Sequence, residues 1–300
     1  MRVNPDMVSS VLAGLQQSQS TLNTALQEVS TGKRVTVPSD DPAASADMVQ
    51  NTIDTKDVDQ YTQNASSVLS TVQTADSTLS SVVSDLTKAI SLGTEGANGT
   101  TNATDQQSIA TEVQGIISSV VSAANTTYQG SYLFGGTAST QTPYTADSTS
   151  ASGYKYNGNS GVNSVAVGDN LTVQANIPGD QIFSNSSNDV LGSLSSLVSA
   201  LQSGNATSIE SATTAVNSAL SYVSQQRVIY ANSETQLNSQ ETYLQQETVT
   251  LSSQATALVG IDTATAAEDL AQAETANSAA LAAASKVLPT TLLDYLAPVQ

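Results

Sequence analysis

The sequence predicts a mainly α protein: a long coiled-coil rod of nested N- and C-terminal helices with a small strand-rich (β) insert domain in the middle. Three observations predict it. Every seventh residue from Ile209 is apolar, through Val216, Val223, Tyr230, Leu237, Leu244 and Leu251 to Leu258, and no Pro or Gly lies between Asn205 and Val259. Eight of the 17 glycines and both phenylalanines fall between Tyr128 and Ser187. The two ends carry helical stripes that are thin and nearly uncharged.

A sustained seven-residue repeat keeps one seam of a helix on its partner and implies left-handed supercoiling. At ~1.5 Å per residue the helix is roughly 75 Å long, more than a compact domain needs. The second seam begins as Ala212 and Ala219, then turns polar: Gln226, Ser233, Gln240, Glu247 and Gln254. Polar residues in a seam fix register and strand number but weaken packing; on a solvated flank they only narrow the apolar stripe. The flank reading is expected for the far end. Isolated helices are marginal, so this one must lie against others.

Taken in order, the chain opens with a helical pattern over Val8–Val29, with Val8, Leu15, Leu22 and Val29 in sevens and Val11, Leu12, Ala25 and Leu26 beside them. Gly32 supplies a left-handed stop. In Lys33-Arg34-Val35-Thr36-Val37-Pro38-Ser39-Asp40-Asp41-Pro42, the paired acids could ligate a metal or act in acid catalysis. The stronger reading makes Asp41 an N-cap and Pro42 the first helical residue. Lys33 and Arg34 could then answer the two acids across the turn.

The next stripe, Tyr61, Ala65, Val68, Val72, Ala75, Leu79, Val82, Leu86 and Ala89, alternates steps of four and three, and Gly93, Gly96 and Gly99 are expected to end it. A third helix follows through Ile109, Val113, Ile116, Val120, Ala123 and Thr127, and the short loop makes the two an antiparallel pair. From Tyr128 the period changes. Runs such as Val165-Val167 and Leu171-Val173-Ala175-Ile177, broken by Gly168-Asp169-Asn170 and Pro178-Gly179-Asp180, read as a small antiparallel sheet. Its tyrosines could stack on a ligand, but in so small a sheet they are expected to form the core.

Helix resumes at Asp189 with Val190, Leu191, Leu194, Leu197, Val198 and Leu201, turns at Gly204-Asn205 and enters the long repeat. Gly260-Ile261-Asp262-Thr263 breaks it. The last helix, about Ala264 to Leu288, is mostly Ala with a thin stripe of Leu270, Ala273, Ala280, Leu281, Ala284, Val287 and Leu288. The expected boundaries are an N-terminal assembly helix (1–38) paired with the C-terminus, rod helices (39–130), the insert (131–188), rod helices again (189–259) and a C-terminal assembly helix (260–300).

Composition narrows the function. With 26 acidic and 8 basic residues the net charge is −18, which disfavours nucleic acid and anionic lipid as partners. No apolar run approaches a membrane span, and Met1-Arg2-Val3-Asn4-Pro5 lacks the apolar core of a secretory signal. The chain has no Cys and no His. That removes Cys nucleophiles, His-assisted triads and the usual zinc sites. Paired carboxylates could still hydrolyse glycosides, but acids on a rod are usually its solvated face. No enzyme, cofactor or metal is expected.

Leu26-Gln27-Glu28-Val29-Ser30-Thr31-Gly32-Lys33-Arg34 and Pro38-Ser39-Asp40-Asp41-Pro42-Ala43 resemble the N-terminal signature of the flagellin superfamily. Within it, Tyr132-Leu133-Phe134-Gly135-Gly136-Thr137, the closing Leu292-Leu293-Asp294-Tyr295-Leu296 and the length are similar to the hook-associated protein 3 family of hook–filament junction proteins. The resemblance covers roughly residues 1–135 and 190–296 and is loose in the insert. It implies terminal helices that pair and line an axial channel, long helices around them, and an insert facing outward. It also implies export, unfolded, through the flagellum's own channel, and a place outside the cell.

The expected role is a structural adaptor of the bacterial flagellum, at the hook–filament junction, ordered by helical assembly; the alternative is a filament flagellin. A needle-type secretion protein also has coiled-coil ends, but the turn signature at residues 31–43 argues against one. Expected partners are copies of the chain and neighbouring hook-associated and flagellin subunits. An export chaperone is admitted as a further partner; nucleic acid and membrane insertion are not. The expected assembly interface comprises Val8, Leu12, Leu15, Leu22, Lys33, Arg34, Leu270, Leu281, Leu288, Leu292, Leu293 and Tyr295. The thin ends are expected to gain enough burial only among neighbours.

Overall fold

The computed structural model describes residues 5–99 and 101–296, with side chains described over 9–99 and 101–286. Its helices are α1 (Pro5–Thr31), α2 (Pro42–Gly96), α3 (Ala103–Ala124), α4 (Gly179–Ile182), α5 (Val190–Ser203), α6 (Ala206–Val259) and α7 (Thr263–Leu296). The strands form four antiparallel pairs: β1 (Thr127–Tyr128) with β2 (Ser131–Tyr132), β3 (Tyr144–Ala146) with β4 (Tyr154–Tyr156), β5 (Ser164–Gly168) with β6 (Leu171–Gln174), and β7 (Ser184–Asn185) with β8 (Asn188–Asp189). The strand-rich segment is therefore four short ladders rather than one sheet. Its glycines, Pro143 and Pro178 interrupt pairing too often for a shared ladder.

The chain divides into two compact units, residues 1–57 with 247–300, and residues 58–246. In the second unit one core is continuous from Ala65 to Leu237. The α2 stripe from Ala65 to Ala89 is buried, as are Ile109, Val113, Ile116 and Val120 of α3 and Leu191, Leu194, Leu197 and Leu201 of α5. Lys88 meets Glu112 at 2.6 Å and Ser119 donates to Asp85 at 2.7 Å, pairs whose order makes α2 and α3 antiparallel.

Of the glycines expected to end α2, Gly96 is its last residue, while Gly93 lies inside the helix. A Cβ on Gly93 would collide with the Thr213 hydroxyl, and one on Gly96 with Leu201. These glycines let neighbouring helices approach. Asn102 caps α3 by accepting from the Asp105 N–H at 2.9 Å, and Asp189 caps α5 by accepting from Gly192 at 2.9 Å. Gly204 ends α5 at φ +69°.

The strand-rich segment shares this core. Phe134 and Phe183 meet edge-on with ring centres 5.3 Å apart, and Tyr144 lies 5.9 Å from Phe183 and 5.1 Å from Tyr156. Tyr144 and Tyr156 thus belong to the core, as expected. The seam of α6 is buried at Ile209, Val216, Val223, Tyr230, Leu237, Leu244 and Leu251, and half-buried at Leu258. Of its polar companions, Gln254 is exposed while Gln226, Ser233, Gln240 and Glu247 are half-buried. Gln240 departs most from a solvated flank: its Nε2 donates to the Val167 carbonyl at 2.9 Å. The β5–β6 hairpin sits on α6 there, held also by Asn64 Nδ2 on the Ala166 carbonyl at 2.8 Å.

α7 continues through Pro289 to Leu296, beyond the end expected near Leu288.

Candidate assembly interface

In the first unit residues 32–41 connect α1 to α2, and α6 gives way to α7 beside that connection. Gly32, at φ +65°, stops α1. Lys33 then pairs with Gly260 in an antiparallel bridge, Arg34 N–H donates to the Val259 carbonyl at 2.8 Å, and Ile261 N–H donates to Gly32 at 3.2 Å. The two connections thus hold each other as a miniature ladder. Beneath it, Val35, Ala44 and Val259 are buried, with Met48 and Leu258 against them. Asn51, buried, donates from Nδ2 to the Leu251 carbonyl at 3.0 Å, tying α2 to α6.

The two aspartates do different work, and neither is catalytic in geometry. Asp40 Oδ2 accepts from the Thr36 and Val37 N–H groups, both at 3.0 Å, and from the Thr36 hydroxyl at 3.2 Å. Asp41 Oδ1 accepts from the Ala44 N–H at 3.1 Å, and Oδ2 lies 3.1 Å from Arg34 Nη2. The Val37 and Thr36 N–H groups hold the Asp40 carboxyl below the ordinary carboxylate range. The Ala44 N–H, then Arg34, do the same for Asp41. This is turn and cap chemistry. Arg34 answers Asp41 as the sequence suggested; Lys33 contributes its backbone, and its side chain is exposed.

α1 packs along α7. On α1 the covered positions are Val11, Leu15, Ser18, Leu22, Ala25 and Glu28; on α7 they are Ala266, Leu270, Ala273, Asn277, Ala280 and Ala284. Both sets step by three and four, the spacing of a coiled-coil seam. Among the described residues, fully buried positions on these two helices are confined to Ala25, Ala266, Ala273 and Ala284, so the described seam is thin. Ser18 and Asn277 each hold a buried side-chain oxygen without a hydrogen-bond partner. Such polar positions weaken a seam and specify its register.

The other side of the pair is open. Leu12 is 44% exposed, Leu26 46%, Val29 43% and Leu281 51%. Val49 and Ile53 of α2 and Val249 of α6 are exposed as well. The sequence-predicted residues therefore fall into three groups. Leu15, Leu22 and Leu270 are half-buried in the α1–α7 seam, Leu12 and Leu281 face outward, and Lys33 and Arg34 sit at the ladder. Val8, Leu288, Leu292, Leu293 and Tyr295 belong to helical backbone whose side chains lie outside the described residues. Sequence reasoning missed Val49, Ile53 and Val249; their signal is an apolar residue off the main stripe.

Residues 4–139 match the family model of the bacterial flagellin N-terminal helical region. The chain is 31% identical over 137 residues to flagellar hook-associated protein 3 of Escherichia coli strain K12, covering 45% of this chain and 43% of that protein. It is 33% identical over 99 residues to a flagellin of Salmonella muenchen, covering 33% of this chain and 20% of that protein. The matched stretches span less than half the length of these relatives. Flagellar hook-associated protein 3 from Legionella pneumophila shares the fold at a TM-score of 0.64 and 14% identity, covering 70% of this chain and 98% of that one. Residues 4–139 are thus similar to the bacterial flagellin N-terminal helical region, and the chain shares its fold with a flagellar hook-associated protein.

Proposed function

We propose that this chain is a structural subunit of the bacterial flagellum, an adaptor at the hook–filament junction, exported unfolded and ordered by helical assembly. The observation that carries the reading is the α1–α7 pair, thinly packed inside and apolar outside. Large apolar side chains left open along a paired helix call for a neighbouring surface, and covering Leu12, Leu26, Val29 and Leu281 would strengthen a seam built mostly of alanine. In this reading residues 1–38 and 260–300 assemble, 39–130 and 189–259 form the rod, and 131–188 face outward.

The partners are further copies of the chain and adjacent hook-associated and flagellin subunits, with an export chaperone in transit. Nucleic acid is no partner for a surface of net charge −18. Among the described residues no helix is long and apolar enough to cross a membrane. The site of action is extracellular, and the role is mechanical rather than enzymatic. Imaging a deletion strain tests this: intact hooks with filaments detached into the medium are expected. Hooks carrying normal filaments would overturn it.

The second reading is a filament flagellin, supported by the 33% identity over the terminal region. The longer alignment to a hook-associated protein favours the junction. Purified protein that grows long filaments alone would reverse that preference, whereas short rings or dependence on neighbours support the adaptor.

A further inference from the structure

In the strand-rich segment, a groove of about 250 Å³ opens beside the β1–β2 hairpin. Tyr128, Gln129, Ser131, Ser139, Asn163 and Asn176 line it. Apart from tyrosine hydroxyls, no lining group is ionisable, in a chain of net charge −18. The volume lies below the roughly 300 Å³ at which pockets for drug-sized ligands begin, so it suits a single ring.

The polar groups at the rim are exposed or half-buried and unengaged. Helical serines and threonines across the molecule bond back to carbonyls four residues earlier, as Thr71 does to Ser67 at 3.0 Å. By contrast, the side chains of Gln129, Ser131, Ser139 and Asn163 and the Tyr128 hydroxyl make no hydrogen bond to any described residue. Asn176, buried at the floor, is fixed: Oδ1 accepts from the Asn163 N–H at 2.7 Å, and Nδ2 donates to the Gly136 carbonyl at 3.2 Å. The floor is thus preorganised, while the exposed rim groups are free to turn onto a ligand.

The rim is also strained. Gln129 and Gly130 turn the hairpin at φ +50° and +80°, and Gln129 is the one non-glycine residue at positive φ among the described residues. Such a turn favours Asn-Gly or Gly-Gly. A longer amide held there costs stability and marks a site worth testing for function.

We propose that this groove binds one uncharged sugar ring, with the Tyr128 ring against its apolar face and the Gln129 and Asn163 amides on its hydroxyls. Aromatic area with amides and hydroxyls, and no charge, matches a neutral polyol: the ring supplies dispersion, the amides donate and accept, and no ion is desolvated. Anionic ligands are repelled by the surrounding field.

The test is saturation-transfer NMR on the full chain with methyl glycosides of glucose, galactose, mannose and N-acetylglucosamine, and with glucuronate as the anionic comparison. At least one neutral glycoside is expected to give signal, glucuronate none. Tyr128→Ala and Asn163→Ala should each weaken binding about tenfold, while Tyr243→Ala, exposed on α6, leaves it unchanged. Asn163 is exposed, so its truncation keeps the fold, which an unchanged melting temperature verifies. Silence from every neutral glycoside at ~10 mM, binding indifferent to both groove variants, or equal binding of glucuronate overturns the proposal.

Discussion

Arg34 Nη2 touches both sides of the joint in the first unit, lying 3.1 Å from Asp41 Oδ2 and 3.3 Å from the Leu258 carbonyl. One cation thus links the start of α2 to the end of α6. The neighbouring Lys33, equally basic, gives the joint only its backbone.

That division separates two phenotypes. Arg34→Ala should lower the melting temperature of the first unit, and Asp41→Ala should lower it further, because Asp41 is both ion partner and helix cap. Lys33→Glu should leave the melting curve unchanged and impair swimming. Thermal denaturation followed by circular dichroism, beside a motility assay, distinguishes them; a Lys33→Glu strain that swims normally removes Lys33 from the assembly surface. The Asp41 contribution has a sign in pH. Its carboxyl is held below 3.8, so the stability it lends is present above that value and is lost as pH falls through the lower folded-state value.

The covered and open sides of α1 should respond oppositely. Leu22→Ser, in the seam with α7, should destabilise the pair by about 1 kcal/mol and speed amide exchange in both helices. Leu12→Ser and Leu281→Ser should leave exchange in the monomer unchanged and block incorporation into assembled flagella. Sedimentation of assembled material, compared with hydrogen exchange of the monomer, reads both.

Gly93→Ala tests the close approach of helices in the second unit. Helix propensity alone favours alanine by about 1 kcal/mol. The new methyl meets Thr213, whose hydroxyl is held on the Ile209 carbonyl at 2.7 Å, and comes within 3.2 Å of Leu197 Cδ1. Overpacking of this kind costs about 1–3 kcal/mol. The net expectation is a loss of about 1 kcal/mol in urea denaturation, and a stabilised variant would show that α6 can yield here.

The second unit should open in alkali. Burial pushes the hydroxyls of Tyr144, Tyr156 and Tyr230 upward, Tyr156 to about 12 with the Asp180 charge adding to the effect. The unfolded chain loses those protons near 10.0, so the stabilisation is whole below that pH and drains away as pH rises through about 12. The chain has no Trp, so tyrosinate absorbance reports the transition directly. Ionisation of all tyrosines near pH 10 with helicity retained would contradict the packing described.

The sequence alone determined the long helices and the inward faces of α2, α3, α5 and α6. The heptads of α6 and the four-three stripe of α2 were legible because periodic burial requires periodic residues. The cap at Asp41 and the stop at Gly32 were legible because their chemistry is local. Tertiary structure decided what local rules cannot express. It placed Gly93 inside a helix, since a neighbour's approach outweighs glycine's weak propensity. It turned Gln240 from a seam flank into a hairpin anchor. It sorted Leu12 and Leu281 from Leu15, Leu22 and Leu270, because which side of a thin stripe is covered depends on the partner helix.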